Sequence, residues 1–158
     1  MLMHLLQVQV SCCAVKDETL DAWRAFLNAH AHVTRAINRD LAAAGLPDLS
    51  WYDLLWALYR QPDRRLRVNE LAREVVLSPT AMSRFVDRVE QAGYVAREPD
   101  PGDRRALKVA LTDAGAEALR AIWPVYRRGI EAHFEPALGA SGARARRMFE
   151  RMSESARG

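Results

Sequence analysis

Cysteine is nearly absent: Cys12 and Cys13 are the only two among 158 residues, and they are adjacent. Neighbouring cysteines cannot staple a small fold, so core packing must hold the chain together, and the usage fits a reducing cytoplasm. No apolar run is long enough to span a bilayer, which argues against a membrane protein. The opening MLMHLLQVQVSCCAV is apolar but has no basic leader and is broken by Gln7 and Gln9. Residues 1–17 therefore read as an N-terminal extension rather than a signal peptide, with Met3 as an alternative start. A glycine-rich phosphate loop and a Gly-x-Ser-x-Gly elbow are missing too. His30 and His32 stand two apart on a helical stretch and point to different sides, while His4 and His133 are isolated, so no metal-ligand spacing is visible. No catalytic residue, metal site or cofactor is expected, and the chain does not read as an enzyme.

What is present is the material of a folded protein: 49% hydrophobic and 27% charged residues. The length suits one domain, or a small domain flanked by long helices that need a partner. Net charge is only +3, yet the pI near 9.2 leaves room for cations gathered on one face, and local density is what a polyanion feels.

Hydrophobic periodicity predicts mostly helices. Leu20, Trp23, Leu27, Ile37 and Leu41 recur at helical spacing from Glu18 to Ala44, and Gly45 with Pro47 supplies the stop. Asp48 or Ser50 can cap a second helix whose apolar face is Leu54, Leu55, Leu58 and Tyr59. A two-turn helix follows over Asn69–Val76. The segment LSPTAMSRFVDRVEQAGYV then starts abruptly, with Ser78 at the N-cap, Pro79 at the first helical position and Gly93 after the last turn. Met82, Phe85, Val86 and Val89 share its apolar face; Thr80, Ser83, Arg84, Asp87, Arg88 and Gln91 lie away from it.

Tyr94–Arg97 and Ala106–Leu111 read as two strands of a hairpin whose tip carries Pro99, Pro101, Gly102, Asp103, Arg104 and Arg105. A turn that only reverses the chain needs no adjacent cations. From Asp113, Leu119, Ile122, Trp123, Tyr126, Ile130 and Phe134 make a helical stripe, with Pro124 a kink or restart. A last helix spans about Ser141 to Ser153, with Met148, Phe149 and Met152 apolar and Arg144, Arg146 and Arg147 facing solvent.

Short helix, tight turn, polar-faced helix and hairpin, in that order, make a winged helix-turn-helix. The fold class is mainly α with a small β-hairpin wing and long terminal helices forming a dimerisation region. Such a second helix offers Ser78, Thr80, Ser83, Arg84 and Arg88 to the major groove. A cation at a narrow hairpin tip can enter the minor groove: Arg105 or Arg104 is the probe and Asp103 its orienter.

The stretch NELAREVVLSPTAMSRFVDRVEQAGYV followed by PDPGDRRALKVALTDAG resembles the MarR family of bacterial transcription regulators, the D-x-R wing signature included. The resemblance implies a dimer of interlocked terminal helices on a palindromic double-stranded DNA operator, released by small ligands or oxidants. It assigns the motif Asp to Asp103 and the minor-groove Arg to Arg105. The expected organisation is an extension over 1–17, a dimerisation helix over 18–47, the DNA-binding domain over 48–112 and C-terminal dimerisation helices over 113–158.

The expected function is a cytoplasmic, ligand-responsive repressor. A small effector, aromatic or phenolic in kind, would lie between the first two helices and the DNA-binding lobe, where Trp23, Trp51, Tyr52 and Asp53 offer aromatic walls and one charge. Asp53 could instead hold the wing through an arginine. Two other readings stay open. One is a redox-sensing regulator using Cys12 or Cys13, whose surroundings hold Lys16 but also Asp17 and Glu18. The other is a helical protein-interaction module with no DNA role.

Overall fold

The structure is a computed structural model and describes residues 15–100 and 102–156; Cys12, Cys13 and Pro101 lie outside the described residues, as do the side chains of Arg104 and Arg105. Two compact units divide the chain, Met1–His32 and Val33–Gly158. Helix α1 (Asp17–Ala43) contributes its first part to the N-terminal unit and its last part to the second.

Among the described residues the N-terminal unit has no buried side chain; Leu20, Trp23 and Leu27 are exposed, and Trp23 stacks on Phe26 at 5.8 Å between ring centroids. The apolar stripe legible in the sequence is thus real but uncovered there. Only Ala36, Ile37 and Leu41, all in the second unit, are buried.

The second unit continues through α2 (Leu49–Tyr59), β1 (Arg65–Arg67), α3 (Val68–Glu74), α4 (Pro79–Gln91), β2 (Val95–Asp100), β3 (Asp103–Leu111) and α5 (Asp113–His133). A short α6 (Glu135–Leu138) and a 3₁₀ turn lead into α7 (Gly142–Ser155). The core joins Leu41, Leu54, Leu55, Leu58, Leu71, Met82, Val86, Val89, Val95, Val109 and Ile122, all fully buried. Each of these large side chains contributes about 1.5–3 kcal/mol by leaving water. Tyr59 departs from its expected place on that face: it is exposed and stacks on Trp56 at 5.8 Å. Helix α5 runs through Pro124 without restarting, and α7 buries no residue, leaving Met148 and Met152 exposed.

The sheet has the order β1-β3-β2, antiparallel throughout. Strand β1 was not expected from sequence; it exists because Arg65, Leu66 and Arg67 pair with Ala110, Val109 and Lys108 of β3. The hairpin strands also reach further than the apolar alternation, to Asp100 and Asp103.

Three helices end in the same cap, with a left-handed residue followed by an amide that reaches back into the last turn. After α1 the residue is Gly45 (φ 70°), and Leu46 N–H donates to Leu41 O at 3.0 Å. After α4 it is Gly93 (φ 79°), with Tyr94 N–H donating to Val89 O at 3.1 Å. After α3 it is Val76 (φ 57°), with Leu77 N–H donating to Ala72 O at 2.9 Å. A β-branched residue in this conformation carries strain of about 1–3 kcal/mol that glycine does not.

Candidate nucleic-acid interface

Helix α4 starts where its punctuation says it should. Ser78 Oγ accepts the Ala81 amide at 3.2 Å, and Pro79 occupies the first turn, where its missing N–H costs nothing. Met82, Phe85, Val86 and Val89 are buried, which turns Thr80, Arg84, Asp87 and Arg88 to solvent and leaves Ser83 half-buried. The Arg88 guanidinium lies over the Phe85 ring at 5.2 Å, and Arg84 makes no ion pair among the described residues. Ser78 uses one lone pair on the helix end, which leaves its hydroxyl proton free to donate to DNA.

The wing departs from simple hairpin pairing at the cations. Pro99 faces Leu107, but the next pair is Asp100 with Asp103, so Arg104, Arg105 and Ala106 are extra residues on β3. The bulge places the backbone of both arginines at the hairpin's end.

Asp100, which sequence reasoning missed, anchors that end. It is only 5% exposed and accepts Gly102 N–H at 2.9 Å and Arg67 at 2.7 Å from Nε and 2.6 Å from Nη2. The Gly102 amide first, and then the Arg67 hydrogen bond, hold its carboxyl below the usual carboxylate range. Arg67 also starts α3, its backbone N–H donating to Glu70 Oε2 at 2.8 Å, so one arginine ties wing to helix-turn-helix. Asp103 Oδ2 lies 3.8 Å from Arg67 Nη2.

The sign of the Asp100 shift makes a prediction. A depressed carboxylate stabilises the fold fully above the ordinary range near about pH 4, and that contribution is lost as pH falls through its lower folded value. Asp100→Asn is therefore expected to lower the melting temperature at pH 7, with the deficit shrinking once pH drops below about 4. Thermal melts of both proteins across pH test this; a pH-independent deficit would contradict it.

A second clamp joins β2 to α4. Arg97 donates its backbone N–H to Glu90 Oε1 at 2.8 Å, and its guanidinium bonds Glu90 and Asp87 together. Arg65 Nε pairs with Glu98 at 2.8 Å. Among the described residues no ion pair joins Asp53 to an arginine; the wing is held by Arg65, Arg67 and Arg97 instead.

Three of the four residues proposed for an effector, Trp51, Tyr52 and Asp53, are consecutive on α2 and turn different ways. Trp51 meets Phe85 and Tyr94 edge-on at 6.2 and 5.7 Å. Tyr52 stacks on Trp56 and Trp123 and meets Tyr126 edge-on at 5.0 Å. Asp53 has its pKa raised by desolvation first and by the Asp48 charge second. Trp23 belongs to the N-terminal unit. Trp123 and Tyr126 carried a sequence signal only as helical-stripe aromatics, and their contact with Tyr52 depends on α2 meeting α5. Trp56 stacks on Tyr52 within α2 and carried no sequence signal of its own.

Comparisons with known proteins agree with this geometry. A family model described as MarR family matches residues 44–106. The fold is similar to that of AbsC from Streptomyces coelicolor, described as a MarR family transcriptional regulator, with a TM-score of 0.82, 28% identity and coverage of 93% of this chain and 99% of that one. It is similar also to Sco3205, a MarR family transcriptional regulator from the same organism solved in complex with DNA, with a TM-score of 0.79, 30% identity and coverage of 92% and 90%. The transcriptional repressor MprA of Escherichia coli (strain K12) is 31% identical over 87 residues, 55% of this chain and 49% of MprA.

Proposed function

We propose that this chain, which belongs to the MarR family, is a sequence-specific DNA-binding transcriptional regulator, a repressor that sits on a palindromic operator as a homodimer. The observation that carries the reading is the pairing of two adjacent features: a helix whose exposed side offers Thr80, Arg84 and Arg88, and a wing bulged at Arg104 and Arg105. Residues Ser78, Thr80, Ser83, Arg84 and Arg88 take the major groove, and Arg105 with Arg104 takes the minor groove beside it, Asp103 steadying the tip. A relative solved with DNA and a curated repressor support the same conclusion.

The homodimer is supported by what is left uncovered. Leu20, Trp23 and Leu27 on α1 and Met148 and Met152 on α7 are exposed, and apolar stripes of this kind are what a shared core buries. The reading assigns 18–47 and 113–158 to dimerisation and 48–112 to DNA binding. A cytoplasmic location goes with DNA as the partner; no helix among the described residues is long and apolar enough to cross a membrane. No catalytic role is assigned, in keeping with relatives that are transcriptional regulators.

An aromatic or phenolic effector is assigned to the surroundings of Trp51, Tyr52 and Asp53. Exposed Trp56 and Trp123, stacked on Tyr52, extend the aromatic surface. The Asp53 carboxylate, near enough to Tyr52 and Tyr126 that, after burial, its charge helps raise both their pKa values, can accept a phenol O–H.

Arg105→Ala is expected to weaken operator binding by about 1–3 kcal/mol and leave the melting temperature unchanged, because a hairpin tip contributes little packing. Asp103→Ala should do part of the same damage. Affinity measured across operator variants and salt concentrations decides it: wild-type binding by Arg105→Ala everywhere, with an unchanged salt slope, would remove the minor-groove role.

A further inference from the structure

Val76 stands apart from every other feature of the helix-turn-helix. It occupies the left-handed cap position that glycine fills after α1 and α4, so the chain shows twice how the same turn is built without strain. The side chain gains nothing from the fold in return, since it is 88% exposed. Strain kept in a folded protein without compensating packing points to a use outside the fold.

The place says what the use is. Val76 lies in the turn between α3 and α4, two residues before the Ser78 cap, and Leu77 beside it is also exposed. The helix that begins just after this small apolar spot carries Thr80 and Arg84 on its exposed side, and a spot of two side chains is too small for a broad apolar protein contact. In the major groove the only apolar group on a base edge is the thymine 5-methyl. We propose that the isopropyl group of Val76, held out ahead of α4 by its left-handed backbone, reads the 5-methyl group of a thymine at one symmetric position of each operator half-site. This specificity contact rests on the DNA-binding reading above.

The test uses the full chain and a DNA fragment that the wild-type protein selects from genomic DNA. Three proteins are compared, wild type, Val76→Gly and the near-isosteric Val76→Thr, on that fragment and on copies in which thymines are replaced by uracil, singly or in symmetric pairs. Val76→Gly is expected to melt several degrees higher, because the strain is gone, and yet to bind about tenfold more weakly with the same salt slope, since no phosphate contact is lost. Val76→Thr should lose affinity without the gain in melting temperature. Uracil at the contacted thymine should weaken wild type by about threefold in one half-site and by the full factor when both half-sites are changed, and leave Val76→Gly unaffected. Wild-type affinity in Val76→Gly, or a loss that no uracil replacement reproduces, would overturn the thymine contact while leaving DNA binding intact. A lower melting temperature in Val76→Gly would remove the strain on which the inference is built. Failure of the wild-type protein to retain any fragment in a salt-dependent way would instead end the DNA-binding reading, and this contact with it.

Discussion

Replacing Gly115 by alanine is expected to cost the DNA-binding lobe about 3 kcal/mol or more, enough to unfold a marginal domain at physiological temperature. Gly115 lies in the first turn of α5, where its amide donates to Thr112 Oγ1 at 3.0 Å. Thr112 in turn is fastened to the end of α4, its amide donating to Tyr94 O at 3.2 Å and its hydroxyl to Gly93 O at 2.8 Å. A Cβ on Gly115 would stand 2.1 Å from Tyr94 O and 2.8 Å from Leu111 Cδ1. The first partner is backbone held from both sides, so it cannot step away without pulling β2 from its register.

Gly129 supplies the control on the same helix. Its Cβ would meet Ile37 Cγ1 at 2.8 Å, a side-chain methylene rather than backbone, although on a buried β-branched residue with little room to turn. Alanine also favours a helix interior over glycine by about 1 kcal/mol, which offsets part of the crowding. Urea denaturation should therefore find Gly129→Ala only moderately destabilised and Gly115→Ala severely so. Equal effects at the two sites would contradict the account of how α5 docks.

The second large effect is on DNA rather than on the fold. Arg97→Ala is expected to weaken operator binding by about 2 kcal/mol or more, roughly thirtyfold. Arg97 sits between Asp87 and Glu90 of α4 and bonds both. Without it two carboxylates stand uncompensated on the recognition helix, and Asp87, half exposed between Arg84 and Arg88, meets the phosphate field directly. The stability cost should be only about 1 kcal/mol, because the pairs are partly open to solvent. Adding Asp87→Asn to Arg97→Ala should restore much of the lost affinity. Unaltered binding in Arg97→Ala would show that the clamp has no part in shaping the DNA-facing charge.

How far the sequence could be read depended on whether a signal was local. Ser78-Pro79 and Gly93 bracket α4 within one residue because capping chemistry acts over a single turn. Asp48 rather than Ser50 caps α2, a choice between neighbours that only geometry decides. Strand β1 has no pattern of its own: Arg65-Leu66-Arg67 becomes a strand only because β3 is there to pair with it. The hairpin outgrew its apolar alternation for a related reason, since Asp100 and Asp103 pair by backbone while Asp100 is held by Arg67, 33 residues away. Nothing local at Asp100 announces that partner. Pro124 allowed a kink or a restart, and α5 does not restart there, since packing of Leu119 and Ile122 on one side of it and Gly129 on the other keeps the helix running.

We propose that two copies of this chain read a symmetric DNA site through α4 and the wing. It is tested most directly by footprinting the full chain on a genomic fragment it retains, at rising salt. The expected result is two protected half-sites related by symmetry, their centres about 34 Å apart on one face of the duplex, lost together and steeply as salt rises. A single unpaired half-site, or protection indifferent to salt, would contradict it.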